Sequence, residues 1–304
     1  MSSFNYRVWR RPLALLSLLI GAATVQLSAA AFAKQSATPF VELSAAALAE
    51  PPATPFARHS AAALAQEKDE NDPARAAALI RDAVKARGGD AYLRITSVIS
   101  RGQFSQYDKG VSGDPVTFVD YIVYPAKERT EFGKGQNKFV QSNSDGVNWV
   151  YDANQRMIRE QKDDQIKQFQ LGQRYDLDHL LRLASRADSG LKLSFVGHRE
   201  IWRNTFADSV RAEYGDGGYA ILNFDPRSKL PVSIEYKTST EQGPVSNEVR
   251  FFRWVEFGGV LFPTLQDFYR GGTQSSHVSF DEVSFNVAVP EKLFAKPLSI
   301  KEVK

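Results

Sequence analysis

Short runs of apolar and aromatic residues, separated by turn residues, recur along most of the chain. Val116–Tyr124 is apolar at nearly every position, whereas Leu191–Phe195 alternates apolar and polar residues. β-Branched and aromatic residues favour strands, and the Gly, Pro and Asp residues between the runs favour tight turns. The sequence therefore predicts about ten short antiparallel strands in a meander, a barrel or a sandwich. The other candidate strands span residues 129–132, 147–151, 206–214, 219–224, 232–237, 245–257, 260–269 and 277–289.

Two amphipathic helices are predicted, one before the strands and one between them. Asp72 suits the N-cap, Pro73 suits the first turn, and Gly88-Gly89 can end the helix in the left-handed conformation. Spacings of three and four residues place the apolar residues of each helix on one stripe, which must lie against an apolar surface. The stripes are Ala76, Leu79, Ile80, Ala83 and Val84 in the first helix, and Leu177, Leu180, Leu181 and Ala184 in the second.

Residues 1–33 have the features of a secretory signal peptide. Three arginines precede the short apolar run Leu13–Ile20, and Ala31-Phe32-Ala33 forms a small-residue cleavage site. The alternative, a membrane anchor, needs about 20 apolar residues. Arg10-Arg11 leaves twin-arginine export open beside the general secretory route. We expect the segment to be removed and the mature protein to be soluble in the periplasm, without a membrane span.

Residues 34–71 contain a short tandem duplication. The sequence ATPF at 37–40 recurs at 53–56, and each copy is followed by SAAALA at the same distance. Solenoids need at least three units to bury a core, and this segment has two. An Ala- and Pro-rich segment that tolerates duplication is typical of a solvated, disordered linker. We expect one folded domain to follow it, over residues 72–304.

The charge balance argues against nucleic acid as a partner. The chain has 38 Lys and Arg against 35 Asp and Glu, but Arg7, Arg10 and Arg11 lie within the predicted signal peptide. Subtracting these three from 38 leaves 35 basic residues against 35 acidic ones, whereas nucleic-acid binding needs clustered positive charge. The sequence has no cysteine, which excludes disulfides, thiolate metal ligands and a lipid-modified cysteine anchor.

Catalytic and metal-binding motifs are missing from the sequence. His59, His179, His198 and His277 are far apart, and none lies in an HExxH motif. Asp163-Asp164 is interpreted as a polar loop, and no nucleophile elbow, P-loop or dinucleotide fingerprint is present. We therefore expect a protein without enzymatic activity, metal or cofactor. Two carboxylates brought together by folding stay open as an alternative, because spacing in sequence does not reveal them.

Several turn motifs occur in a fixed order along residues 72–298, at 86–89, 124–129, 144–151, 222–232, 258–263 and 285–294. This series resembles the LolA/LolB-like lipoprotein carriers of the bacterial envelope. The resemblance implies a curved, unclosed antiparallel half-barrel that is covered by an N-terminal and a central amphipathic helix and encloses a hydrophobic cavity for acyl chains. The chain departs from the pattern at Tyr124, because the carrier has an arginine before the proline that corresponds to Pro125. It also lacks the lipid-attachment cysteine of the membrane-bound branch.

Strands that are apolar on both faces, together with the central helix, supply the candidate cavity. Such strands are equally typical of a sheet that is simply buried on both sides. A shift of one residue moves a strand side chain to the other face, so the strand members depend on parity. Arg129 is placed at the cavity rim, with an exposed strand arginine beside Glu131 as the alternative. The residues expected to line the cavity or its lid are Phe104, Phe118, Ile122, Phe132, Trp149, Leu177, Leu180, Leu181 and Phe251.

Two functions are consistent with this sequence. The first is an exported, monomeric carrier of lipid acyl chains or lipoproteins, which exchanges its ligand with a donor or acceptor protein of the cell envelope. The alternative is a non-enzymatic interaction or accessory module of an envelope complex, with a filled interior. The volume and the lining of the interior discriminate between them.

Overall fold

The computed structural model of the chain describes residues 71–303. The predicted signal peptide and the predicted linker up to residue 70 lie outside this part, so both stay predictions. None of the helices within it combines the length and the apolar character that crossing a membrane requires. The helices are α1 (Pro73–Ala86), α2 (Asp90–Leu93), α3 (Asp163–Tyr175) and α4 (Leu177–Ala184), with short 3-10 helices at Gly135–Asn137, Glu291–Leu293 and Ile300–Val303.

The strands form one antiparallel sheet. They are β1 (Ser97–Asp108), β2 (Val111–Ser112), β3 (Val116–Val123), β4 (Lys127–Phe132), β5 (Phe139–Ser144), β6 (Val147–Asp152), β7 (Met157–Glu160), β8 (Lys192–Trp202), β9 (Thr205–Glu213), β10 (Tyr219–Phe224), β11 (Pro231–Thr240), β12 (Gly243–Phe257), β13 (Val260–Arg270) and β14 (Thr273–Phe285). Their order in the sheet is β7-β6-β5-β4-β3-β1-β14-β13-β12-β11-β10-β9-β8, and β2 pairs with β1 beside this path. The end strands β7 and β8 do not pair with each other, so the sheet is not closed. The predicted fold class, an unclosed antiparallel sheet with helices, is confirmed.

The first strand within the described residues, β1, lies in the middle of the sheet. β1 pairs with β3 on one side and with β14 on the other. At Gly102 the register of the β1–β14 pair is irregular, and a Cβ at this position would overlap the carbonyl oxygen of Ser279. This glycine and several polar residues mask the strand pattern, and β1 was not among the predicted strands. It joins a first half of the sheet, β3–β7, to a second half, β8–β14.

Helix α1 begins and ends where the sequence predicts. The side chain of Asp72 accepts hydrogen bonds from the backbone N–H groups of Ala74 (2.8 Å) and Arg75 (3.1 Å), and the apolar stripe of the helix is buried against the second half of the sheet. At its end, Gly88 has φ +123°, and a Cβ there would overlap the carbonyl oxygen of Gly259. Glycine is therefore required at position 88. The close approach fixes the end of α1 against the β12–β13 turn.

The connection between the two end strands contains α3 and α4. All four apolar residues of the predicted central helix are buried in α4, so that prediction is confirmed. The interpretation of Asp163-Asp164 as a loop is wrong, because these residues form the first turn of α3, where acidic side chains are favourable. Only Gly172 and Tyr175 of α3 are buried. A helix with so little buried surface carries no continuous apolar stripe that the sequence could reveal.

The C-terminal segment, residues 290–303, packs on the outer face of the first half of the sheet, opposite the face that the helices cover. The indole Nε1–H of Trp149 donates to the carbonyl oxygen of Phe294 at 2.9 Å. Val140, Trp149 and Val303 form a small apolar cluster there. This segment buries one outer face, whereas the main core lies between α1, α4 and the inner face of the second half.

Candidate functional site

A cavity lies between the inner face of the sheet and the helices α3 and α4. Its volume is about 80 Å³, which accommodates a few water molecules and not an acyl chain. Strands from both halves of the sheet, the end of α1 and the α3–α4 junction all contribute to its wall. The sequence resemblance implies a hydrophobic cavity, but the wall contains two acids beside its apolar residues.

Phenylalanines form the apolar side of the cavity. Phe118, Phe251, Phe262 and Phe280 come from four different strands and converge there because alternate residues of a strand share a face. The rings of Phe118 and Phe280 lie edge to face with centroids 5.6 Å apart, and those of Phe262 and Phe280 do so at 5.0 Å. Aromatic contacts of this geometry are favourable, and together the rings form a continuous apolar surface, the phenylalanine wall.

Two carboxyl groups from neighbouring strands also line the cavity. Ser100, Asp120 and Thr130 are direct register partners across β1, β3 and β4, and Glu128 lies two residues before Thr130 on the same face. The Thr130 hydroxyl donates to Asp120 Oδ1 at 2.8 Å. Asp120 and Glu128 are each only 6% exposed, and both line the cavity. We call Asp120 and Glu128 the acidic pair.

Burial raises the pKa of both members of the acidic pair. It raises the pKa of Asp120 to about 7, although hydrogen bonds from Thr130 and from the Tyr121 backbone oppose the shift. The pKa of Glu128 is also raised well above its usual value, first by burial and then by the charges of Asp120 and Asp176. Removing a carboxylate from water disfavours its charged form. The two acids are therefore poised to change charge in response to pH or to a bound cation.

A polar cluster connects helix α4 to the rest of the domain. Asp178 on α4 accepts a hydrogen bond from the guanidinium of Arg87, at the end of α1. The hydroxyls of Tyr92 and Tyr124 donate to the same carboxylate at 3.1 Å and 3.3 Å. Burial would raise the pKa of Asp178, but the charges of Arg87 and Arg182 outweigh it and lower the pKa. Arg87, Tyr92, Tyr124 and Asp178, which we call the latch, form a buried charge-assisted network.

Two further side chains of α4 reinforce this connection. The Arg182 guanidinium donates to the backbone carbonyls of Tyr92 (2.7 Å) and Ile95 (3.0 Å). His179 places Nε2 at 2.7 Å from the carbonyl oxygen of Pro125 and Nδ1 at 3.3 Å from Asp176. Burial opposes protonation of His179, but Asp176 and the Pro125 carbonyl raise its pKa overall. Both partners only accept hydrogen bonds, which favours the imidazolium.

Four of the residues predicted to line the cavity do so in the structure. These are Phe118, Ile122, Leu177 and Phe251. Phe104 and Phe132 lie beside them, in a second apolar cluster with Phe118, where the Phe104 and Phe132 ring centroids are 5.9 Å apart. Leu180 and Leu181 are fully buried in the main core beneath α4. The structure thus brings most of the predicted set to one region, and their role in binding stays a prediction.

Trp149 and Arg129 do not reach the cavity, and their predicted positions are corrected. Both lie on the outer face, because Trp149 is opposite Ser142, which in turn is opposite Arg129. The C-terminal segment covers this face, where Arg129 donates to the Leu293 carbonyl at 2.7 Å. Arg129 also pairs with Glu131 at 2.7 Å, as the alternative interpretation proposed, but it is buried and not exposed. A one-residue error in strand parity accounts for the difference.

Asp120, Glu128, Arg87 and Asp178 were not among the candidate site residues. Asp120 carried a usable signal, because it is a lone acid inside the apolar run that forms β3. The other three had none, because their partners are far away in sequence. No group of three or more His, Asp or Glu residues arranged to hold a metal ion occurs in the described part of the chain.

Comparisons with known proteins agree on the fold. No family model and no curated protein matches the sequence. A DUF1329 family protein from Desulfovibrio piger superposes with TM-score 0.53 at 13% identity, over 74% of this chain and 98% of that one. A LolA superfamily protein from Nitrosomonas europaea has TM-score 0.49 at 12% identity, over 73% and 97%. A lipoprotein-sorting protein domain from Vibrio parahaemolyticus has TM-score 0.48 at 12% identity, over 74% and 98%. The chain thus shares the overall fold of the DUF1329 protein.

Proposed function

We propose that this protein is an exported, non-enzymatic binder or carrier of an amphiphile, whose hydrocarbon chain is held between the curved sheet and the helices α3 and α4. The observation that supports this is a cavity with a phenylalanine wall, closed by helices that polar contacts attach to the domain. In a protein built for stability alone, an apolar core would fill this space.

The phenylalanine wall supplies the affinity in this proposal. Each methylene group moved from water onto an apolar surface contributes about 0.8 kcal/mol. A ten-carbon chain would therefore gain up to roughly 8 kcal/mol before the costs of association and of opening the site. Phe118, Phe251, Phe262 and Phe280 would provide that surface.

The structure corresponds in this proposal to the closed, unloaded form. A cavity of about 80 Å³ must expand to take up a chain, so α3 and α4 act as the lid. Helix α3 buries little of its surface, and only Asp176, which has an extended backbone conformation, separates it from α4. We place the hinge of the lid at this residue. Opening requires the latch to exchange its partners, because Asp178 joins α4 to Arg87, Tyr92 and Tyr124.

The setting of this activity follows from the sequence predictions. An exported protein with a hydrophobic ligand would work as a monomer in the periplasm and protect lipid or lipoprotein acyl chains from water. A donor or acceptor protein of the envelope would exchange ligand with it when the lid opens. No nucleic acid, metal or cofactor takes part in this proposal.

A matched pair of variants on β12 tests the proposal. Phe251 lines the cavity and is 5% exposed, whereas Phe252 points to the opposite face and is 37% exposed. We expect protein purified from its native envelope to carry extractable lipid and to bind a fluorescent fatty acid. Phe251→Ala should weaken this binding at least tenfold, and Phe252→Ala should leave it within about twofold, with circular dichroism as the check on folding. Protein that carries no lipid and binds no probe would refute the proposal and support the accessory module with a filled interior.

A further inference from the structure

Two buried acids in the cavity share one hydroxyl donor. Glu128 is 6% exposed and lines the cavity together with Asp120. The Thr130 hydroxyl opposes the rise in the pKa of both acids, but its single proton is donated to Asp120 at 2.8 Å. Within residues 71–303, no basic side chain forms a salt bridge with either member of the acidic pair. Burying carboxyl groups without compensating partners lowers stability, which indicates that they are kept for binding.

The charged groups that face the acidic pair are already committed to other partners. Arg87 also lines the cavity, but its guanidinium is bound to Asp178. His179 lies with Nδ1 at 3.3 Å from Asp176, and Arg182 donates to backbone carbonyls. Each cation near the cavity thus has its own acceptor. Asp176 is a further anion there, and its charge also raises the pKa of both acids. Among the described residues, none forms a salt bridge that would serve as a counter-ion to the acidic pair.

Resting on the proposed function, we infer that Glu128 and Asp120 bind the protonated amino group of an amphiphile, whose hydrocarbon chain lies along the phenylalanine wall. An ammonium group has three N–H donors and no acceptor. The two carboxyls and the Ser100 hydroxyl, which is the direct register partner of Asp120, offer three acceptors on one face. The phenylalanine wall and the acidic pair together match a molecule with one hydrophobic end and one cationic end.

Binding of an amine has a defined proton balance. The amino group arrives protonated, and burial raises the pKa of Asp120 to about 7 and that of Glu128 above its usual value. Below the pKa of Asp120, formation of the ammonium–carboxylate pair therefore requires one carboxyl to release its proton to the buffer. We expect amine binding to be about tenfold tighter at pH 8 than at pH 6, and an uncharged amphiphile to lack this dependence.

The test compares two ligands that differ only in the head group. Decylamine and 1-decanol are titrated into the full exported chain, by displacement of a fluorescent fatty acid and by calorimetry in two buffers of different ionisation enthalpy. Glu128→Gln and Asp120→Asn keep the side-chain shape but remove the charge. Glu282→Gln is the matched control, because Glu282 is exposed and pairs with Arg101 on the surface.

The expected result is that decylamine binds about ten- to hundredfold more tightly than 1-decanol at pH 8. Its binding should release close to one proton at pH 6 and little at pH 8, where Asp120 is already ionised. Glu128→Gln and Asp120→Asn should each remove most of this preference for decylamine over 1-decanol, whereas Glu282→Gln, in an exposed surface pair, should keep the preference and leave 1-decanol binding unchanged. Equal affinity for the two ligands, or a preference that survives both substitutions, would overturn the inference while leaving the proposed function standing. Failure of both ligands to bind would overturn the proposed function as well.

Discussion

Replacing Asp120 by asparagine removes one of the two buried acids and changes how the stability depends on pH. The unfolded chain releases this proton near pH 3.8, whereas the folded protein holds it to about pH 7. Between these values the folded state binds more protons than the unfolded state, so the free energy of unfolding falls as the pH rises. The contribution is intact below pH 3.8 and is fully lost above pH 7.

The size of this effect follows from the two pKa values. Each pH unit between 3.8 and about 7 costs about 1.4 kcal/mol. Ionisation of Asp120 alone therefore lowers the free energy of unfolding by roughly 4 kcal/mol at pH 8 relative to pH 4. Asparagine cannot ionise, and its Oδ1 can still accept the hydrogen bond from Thr130. We expect Asp120→Asn to be more stable than the wild type at pH 8, by as much as about 4 kcal/mol, and close to it at pH 4.

The measurement is urea unfolding followed by circular dichroism at pH 4, 6 and 8. The exposed Glu282→Gln variant serves as the control, because loss of a surface ion pair changes stability by less than about 1 kcal/mol. Wild type and Asp120→Asn should converge at low pH and separate as the pH rises. Parallel stability profiles for the two proteins would show that Asp120 is ionised in the folded state, and the reasoning would be wrong.

Asp178→Ala should destabilise the domain by about 3–5 kcal/mol, measured as the loss in urea unfolding free energy, because it leaves the buried Arg87 without its partner. Under conditions where this variant stays folded, it should also bind a fluorescent fatty acid faster than the wild type in stopped-flow experiments, and an unchanged rate would show that the latch does not hold the lid. Gly88→Ala should lower the melting temperature far more than Gly89→Ala. Both positions have positive φ, but only at Gly88 would a Cβ overlap the Gly259 carbonyl. Equal effects of the two substitutions would contradict the close approach between α1 and the β12–β13 turn.

The sequence predicts the strands and helices whose pattern is local. The apolar stripe of Leu177, Leu180, Leu181 and Ala184 is sufficient to identify α4, and aromatic residues between turns identify most strands of the second half. Helix α3 and strand β1 escape this reasoning for different reasons. Helix α3 buries too little surface to need an apolar stripe, and β1 is interrupted by Gly102.

The candidate site is only partly accessible from sequence. In a strand that is apolar on both faces, the sequence does not tell which alternate residues point into the cavity. The choice made for Phe118 and Phe251 agrees with the structure. The same choice fails at Trp149, whose large ring belongs to the outer face beneath Phe294. Glu128 and Asp120 meet only through the β3–β4 hairpin register, so no spacing rule predicts that they share a cavity wall.

The position of residues 290–303 has a consequence for any attempt to shorten the protein. The end of a chain is commonly treated as dispensable, but here it supplies the carbonyl acceptors of Leu293 and Phe294 for the buried Arg129 and Trp149. Removing it would leave the indole N–H of Trp149 without its acceptor. It would also expose Arg129, which would keep only its pair with Glu131. A truncation at this terminus would therefore act on the protein as a core mutation does.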